Sequence, residues 1–135
     1  MAHFVFTDPY FKHDTTELSD HVLGITLEYD ADEVEDTSGG DTTHVFLPGL
    51  KSYSLTVELA QDLAGSDVDA TLFADVGVSR TIAVRNTTTT IGSTNPEYTA
   101  TMFLKSYPPI GTVVGEKAVT RAVYTAITAL TRVTS

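Results

Sequence analysis

The stretch EYDADEVEDTSGGDTTHVFLPGLKSYSLTV, residues 28–57, decides how this chain can fold. Within residues 51–60 large apolar residues occupy every second position from 53 to 59, which predicts a strand with one buried face. Residues 30–43 are acidic, contain Gly39 and Gly40 and have no apolar period, so they predict a long solvated loop. A β-domain with such a charged arm is better suited to binding a neighbour than to catalysis.

Other short strands recur along the chain, with turn residues between them. One helix of about ten residues is predicted, with Ser66 as its N-cap and Gly77 as its stop. This pattern predicts a mostly β single domain, residues 1–135: an antiparallel β-sandwich or barrel with one short flanking helix, a long charged loop and an N-terminal arm over residues 1–17. The further predicted strands span residues 2–7, 22–29, 44–47, 80–85, 98–107, 117–127 and 130–134.

Composition narrows the possible environments and partners. The chain has no cysteine, so disulfides and thiolate metal sites are excluded. No apolar run approaches the roughly 18 residues of a membrane span, and the N-terminus lacks the pattern of a secretory signal. We therefore expect a protein made and folded in a cytoplasm, without a membrane partner.

Charge is divided unequally along the chain. Residues 1–76 hold 16 acids and two lysines, whereas residues 77–135 hold two acids and six bases, and the net charge is −10. If the halves map to different faces, copies can stack head to tail; if they intermix, the asymmetry averages out. The acidic balance argues against ordinary duplex DNA binding, which needs clustered Lys and Arg.

No motif for catalysis or metal binding is complete. Counted from Asp30, the calcium-loop template fails, because Val34 stands at position 5 and Glu35 at position 6. A solvated acidic loop is the favoured interpretation, and a nonstandard Ca²⁺ site stays open. The four histidines form no HExxH motif and are expected to be surface or half-buried. There is no GxSxG and no cysteine, so we predict no catalytic, cofactor-binding or metal-binding residue and no enzyme.

The segment GDTTHVFLPGLKSYSLTVEL, residues 40–59, resembles the central motif of the tail tube (major tail) proteins of long-tailed bacteriophages. LSDHVLGITLEYDADE, VDATLF, NPEYTATMFLKSYPPIG and VGEKAVTRAVYTAITALTRVT resemble the same family, so that the resemblance covers most of residues 18–134. The first 17 residues do not align with it. Capsid decoration proteins and head–tail completion proteins share related β-folds and are the alternative assignments. A small enzyme or sugar-binding sandwich is a third class.

The resemblance implies a structural virion protein. Six copies would close into a ring whose inner strands form a continuous barrel, and rings would stack into the phage tail tube through which DNA passes during ejection. The partners would be further copies of the chain and other tail or head–tail proteins, with DNA only as non-specific cargo. No cofactor is implied. The protein would reside in the virion after assembly in the host bacterial cytoplasm, and the loop at residues 30–43 would reach an adjacent subunit or ring.

The subunit interface is expected to bring acids of the loop against bases of another copy. An exposed ion pair contributes less than about 1 kcal/mol, so only many pairs repeated by symmetry could direct assembly. The acidic side is predicted to consist of Asp30, Asp32, Glu33, Glu35, Asp36 and Asp41, with the bend Leu47, Pro48 and Gly49. The candidate bases are Arg80, Arg85, Lys105, Lys117 and Arg121.

Overall fold

The alternating segment forms the inner part of the longest strand. The structure is a computed structural model that describes residues 3–135. Within strand β4 (Phe46–Ala60), Tyr53, Leu55, Val57 and Leu59 are buried and the residues between them are not. Burying each apolar side chain contributes about 1.5–3 kcal/mol, which fixes the register of the strand against its neighbours.

The described strands form a single antiparallel sheet. Its order is β2-β1-β5-β6-β7-β4-β3, and β8 pairs with β6 beside this path. Between residues 3 and 135, one short helix, α1 (Val68–Phe73), and one 3₁₀ turn (Ser19–His21) accompany the sheet. The remaining strands are β1 (Tyr10–His13), β2 (Thr16–Glu17), β3 (Val22–Glu35), β5 (Ser79–Arg85), β6 (Glu97–Ser106), β7 (Val119–Ala126) and β8 (Thr131–Val133).

The sheet curls so that its two halves face each other. In a flat sheet β1 and β7, three places apart, would be separated by about 14 Å. Here the rings of Phe11 in β1 and Tyr124 in β7 meet edge to face, with centroids 6.1 Å apart. The core lies between the halves, and Val68 and Leu72 of α1 pack into it. The predicted mostly β, antiparallel fold with one short helix is therefore confirmed, and the sheet is curled but not closed into a barrel.

The helix is shorter than predicted. It covers six residues, with Asp67 rather than Ser66 at its N-cap, and Ser66 has a left-handed backbone with φ of 69°. Gly77 has φ of 80° but lies beyond the helix end, where its N–H donates to the carbonyl of Leu104. Val68 and Leu72 are buried, whereas Phe73, the last residue of the helix, is 69% exposed. A helix this short depends on packing, and packing ends with Leu72.

The prediction for the N-terminus was wrong in two respects. Of the strand expected at residues 2–7, the described part, residues 3–7, is not a strand, and residue 2 lies outside the described residues. The strands β1 and β2 lie instead within the segment interpreted as an arm and connection. Strand β1 pairs with β5 and buries Phe11 and His13, which alternate along it. Four residues are too few for this period to be recognised in the sequence.

Candidate assembly interface

A β-hairpin projects beyond the body of the sheet. Strand β4 pairs with β7 from Ser54 onward, so residues 46–52 are held by β3 alone. At about 3.3 Å per residue, this paired part extends about 23 Å past the sheet, and the connecting loop adds to it. We call residues 30–52 the hairpin arm.

The predicted loop at residues 30–43 was wrong in its bounds, because much of this segment is strand. Strand β3 continues to Glu35 and β4 begins at Phe46, so only residues 36–45 form a loop. Strand β4 continues through Pro48 and Gly49, and the pairing slips there, from Lys51 with Ala31 to Pro48 with Glu33, so the irregularity expected at this place is a β-bulge. A strand shows an apolar period in its sequence when one of its faces is buried. Neither face of this two-stranded ribbon is buried, so its acidic sequence shows no such period although it forms a strand.

Gly49 allows the two strands of the arm to approach closely. A Cβ atom at this position would lie 3.0 Å from the Cβ of Asp32 and 3.1 Å from the Cγ2 of Val34. Both distances are at or near the limit of normal packing. The close approach of the two strands therefore explains why residue 49 is a glycine, which the sequence motif alone does not reveal.

The tip of the arm has its own internal contacts. Glu35 accepts hydrogen bonds from Nδ1 of His44 at 2.6 Å and from the hydroxyl of Thr37 at 2.9 Å. These two hydrogen bonds lower the pKa of the Glu35 carboxyl below its usual value. Asp41 accepts the backbone N–H of Ser38 at 2.7 Å. The tip is therefore a loop held by its own hydrogen bonds.

The arm is exposed throughout its length. Every residue from 30 to 52 is exposed except the half-buried Gly49. Two-stranded hairpins are at best marginally stable in water, and clustered exposed apolar side chains mark interaction surfaces. The arm carries apolar side chains as well as acids: Val34 is 50% exposed, Val45 40%, Phe46 52%, Leu47 49% and Leu50 81%.

The structure thus brings the predicted acidic side of the interface together on one element. Four of its acids lie on β3, two lie in the loop, and the three residues of the predicted bend lie on β4. They are, in order, Asp30, Asp32, Glu33 and Glu35, then Asp36 and Asp41, then Leu47, Pro48 and Gly49.

Three of the five candidate bases already have acidic partners within the chain. Arg80 contacts Asp75 at 3.2 Å and Asp14 at 3.7 Å. Arg121 lies 3.6 Å from Glu58. Arg85 lies 3.9 Å from Glu97, and its guanidinium stacks 3.8 Å from the ring centre of Tyr10. The ion pairs found within residues 3–135 include neither Lys105 nor Lys117, and both lysines are exposed.

An apolar recess lies at the opposite end of β4 from the arm. It is a cavity of about 650 Å³ between the end of α1 and the loop that connects β6 to β7. Strand β4 has 15 residues, so the recess and the arm tip lie about 50 Å apart along it. Its apolar walls are the strongly exposed side chains of Leu63 at 76%, Phe73 at 69%, Ile110 at 90%, Val113 at 76% and Val114 at 100%.

Hydrogen bonds anchor one side of the recess. The Tyr107 hydroxyl donates to Oδ1 of Asp69 at 2.7 Å and accepts from Nε2 of Gln61 at 2.9 Å. Gln61 also donates to the carbonyl of Pro109 at 3.0 Å. Burial and the bond to Asp69 raise the pKa of Tyr107 to about 12. Sequence reasoning missed this recess, although exposed valines in a turn-rich segment were a signal for it.

A buried polar network joins the N-terminal strand to the core. His13 is 1% exposed and lies between the hydroxyl of Tyr124 at 2.8 Å and Oδ2 of Asp75 at 2.7 Å. Burial opposes ionisation of Asp75, but hydrogen bonds from His13 and Arg80 outweigh it and lower the pKa of that carboxyl. Burial raises the pKa of Tyr124. The expectation of a surface or half-buried imidazole was therefore wrong for His13.

Comparison with known proteins gives structural neighbours but no sequence relatives. The sequence matches no protein-family model, and no curated protein matches it significantly. A chain from the virion of a native gene transfer agent particle has a TM-score of 0.73 at 15% identity over 96% of this chain and 98% of that one. A chain from the tail of an empty gene transfer agent particle, with C6 symmetry, has a TM-score of 0.63 at 16% identity, covering 82% and 81%.

A third neighbour comes from an extracellular contractile injection system. A chain from the sheath/tube terminator of the PVC system in its extended state has a TM-score of 0.70 at 12% identity, covering 96% of each chain. The present chain has the fold of these tail and tube components. The fold implied by the resemblance to tail tube proteins is thereby confirmed, while identities this low leave the function to be argued from the chain's own surfaces.

Within residues 3–135, no helix has both the length and the apolar character needed to cross a bilayer.

Proposed function

We propose that this chain is a structural subunit that assembles with copies of itself into stacked rings, forming the tube of a phage-like tail. The observation that carries the proposal is the hairpin arm, which extends past its own sheet and exposes five large apolar side chains. A ribbon of this kind gains little stability from its own chain. Contact with another copy supplies the buried surface that it lacks.

Stacking follows from the positions of the arm and the recess. The two surfaces differ from each other and lie at opposite ends of β4, so contact between them is heterologous. A heterologous contact leaves a free arm at one end and a free recess at the other, and it can therefore be repeated without limit. We assign the arm tip of one subunit to the apolar recess of a subunit in the next ring.

Lateral contacts within a ring follow from the open sheet. Strand β3, with 14 residues, forms one edge of the sheet, and an exposed edge of that length is a template for pairing with another chain. Joining edges around a ring satisfies these backbone groups. Six-fold closure is proposed by analogy with the C6 symmetry of the gene transfer agent tail.

Charge adds orientation to this contact. Lys117 lies between Glu116 and Ala118, which line the recess, and Lys105 lies near the end of β6, four residues before the recess residue Pro109. They are the two candidate bases for the acids of an incoming arm, because Arg80, Arg85 and Arg121 already contact acids of their own chain. A few exposed pairs contribute little free energy, so apolar burial is the main source of affinity.

An acidic subunit is also suited to enclosing DNA as non-specific cargo. Duplex DNA carries one phosphate charge per about 1.7 Å, and the subunit has a net charge of −10. An acidic wall repels the duplex and lets it slide, whereas a basic wall would bind and retain it. The chain would then reside in the virion after assembly in the host cytoplasm, with other tail or head–tail proteins at the ends of the tube.

Electron microscopy of the purified full chain tests this proposal. Six-fold rings or tubes are expected at high protein concentration. A chain that stays monomeric at every concentration, or that forms three-fold knobs, would refute the tube assignment, and the knobs would favour a capsid decoration protein. Single rings that do not stack would favour a tube terminator, an alternative suggested by the likeness to the PVC sheath/tube terminator.

A further inference from the structure

Three potential metal ligands converge at a place that the assembly proposal does not use. They are His21 in the 3₁₀ turn, Asp62 in the loop after β4, and Asp67 at the N-cap of α1. None of the three lies in the hairpin arm or lines the apolar recess. Spacing along the chain does not reveal the cluster, since 40 residues separate His21 from Asp62.

The distance between His21 and Asp67 is that of two ligands around one zinc ion, and the distance between His21 and Asp62 is longer. Nε2 of His21 lies 3.4 Å from Oδ1 of Asp67 and 3.9 Å from Oδ2 of Asp62, and the three atoms lie within 4.8 Å of one another. A charge-assisted hydrogen bond is shorter, about 2.7–2.9 Å, like the 2.7 Å contact between His13 and Asp75 in the same chain. Ligands about 2.0–2.1 Å from a tetrahedral zinc ion lie roughly 3.4 Å from each other.

Both carboxylates are positioned for this role by their own backbone. Oδ1 of Asp62 accepts the N–H of Ala64 at 2.9 Å, which leaves Oδ2 facing His21. The carbonyl of Asp62 accepts the N–H of Asp69 at 3.1 Å, and the N–H of Asp67 donates to the carbonyl of Ala64 at 3.2 Å. These bonds hold the segment between the two carboxylates in a fixed turn.

The Asp67 side chain also does not cap the helix. An aspartate at an N-cap normally accepts an N–H from the first turn of the helix, but the Asp67 side chain makes no such bond. Its carboxylate is turned toward His21 instead, at 3.4 Å. The side chains of His21, Asp62 and Asp67 are 21%, 35% and 37% exposed, so an ion could enter from solvent and keep a water ligand.

We propose that His21, Asp62 and Asp67 bind a divalent transition-metal ion of the zinc class. One imidazole nitrogen and two carboxylate oxygens fill three positions of a tetrahedron, and water takes the fourth. The imidazole favours zinc, nickel or copper over calcium and magnesium, which prefer all-oxygen sites. The ion joins the 3₁₀ turn to the start of α1 and so fastens the N-terminal segment to the body of the fold. All the ligands belong to one chain, so the site does not depend on assembly.

Calorimetric titration of the full chain with ZnCl₂ tests the site, alongside His21→Gln and Asp67→Asn. Asparagine keeps the size and capping ability of residue 67, and the N-terminal turn should tolerate glutamine at the partly exposed position 21. The matched control is His44→Gln, which removes a histidine–carboxylate pair far from the site, the 2.6 Å contact with Glu35 at the arm tip. Thermal melts without metal establish that each variant is folded.

We expect one Zn²⁺ per wild-type chain and a rise in melting temperature on binding. Each site variant should bind at least about 10-fold more weakly, since losing a ligand costs no less than losing its outer-shell support. His44→Gln should bind like the wild type, and Ca²⁺ should give no saturable heat. The proposal is overturned if the wild type shows no saturable Zn²⁺ binding, if folded His21→Gln binds as tightly as the wild type, or if His44→Gln alone abolishes binding.

Discussion

Leu50→Ala separates the proposed assembly contact of the hairpin arm from its folding. Leu50 is 81% exposed in the isolated chain, so the substitution should change the free energy of unfolding by less than about 0.5 kcal/mol. The substitution removes three carbon atoms, each worth about 0.8 kcal/mol when buried. If assembly buries the side chain, the variant loses about 2 kcal/mol per contact, which is about a 30-fold change in the equilibrium constant.

The assay is the critical concentration for tube formation, measured by sedimentation over a dilution series. We expect this concentration to rise about 30-fold for Leu50→Ala. Ile127→Ala is the matched control, because it removes the same number of carbon atoms from a side chain that is 47% exposed and lies on neither the arm nor the recess. A folded Leu50→Ala protein that assembles at the wild-type concentration would show that the arm is not an assembly contact.

Three further predictions concern the stability of the single chain. His13→Leu should lower the free energy of unfolding in urea by about 3 kcal/mol, because it leaves the buried Tyr124 hydroxyl and one side of Asp75 without a partner. The pKa of Asp75 is lower in the folded state than its ordinary value of 3.8. Its stabilising contribution is therefore present above pH 3.8 and should be lost as the pH falls through the lower folded-state pKa. Acid titrations of the free energy of unfolding should show this loss in the wild type but not in Asp75→Asn. Ser66→Gly should raise the free energy of unfolding in urea by about 0.5 kcal/mol, because glycine adopts a left-handed φ without the clash of a Cβ, and its greater freedom in the unfolded chain offsets part of the gain.

For the longer strands β4, β5 and β6, each with one buried face, the sequence was sufficient. The alternation at residues 51–60 predicted the buried face of β4, and the strands predicted at 80–85 and 98–107 correspond to β5 and β6 within a residue. In each case the apolar period is imposed by the core, so it can be read without the structure.

For a strand that is exposed on both faces, the apolar period could not be used as a signal. The acids of residues 30–35 belong to a strand whose two faces are both exposed, and such a strand has no period to detect. The recess and the cluster at His21 depend on residues that only the curled sheet and the loop after β4 bring together. The candidate bases could be named from the sequence, but their partners could not, because Asp75, Glu97 and Glu58 approach them through tertiary packing or cross-strand register.

The acids of β3 also explain why the proposed assembly is a ring or stack rather than a symmetric dimer. Strand β3 is a long exposed edge with five acids, Glu28, Asp30, Asp32, Glu33 and Glu35, and no base. Pairing two β3 edges about a two-fold axis would place ten acids side by side, and like charges across a strand pair are destabilising. The charges therefore prevent indiscriminate edge-to-edge association, as charged side chains commonly do on natural edge strands. The pairing they leave open is with a different surface of the next copy, and repetition of that contact generates a ring or an open stack.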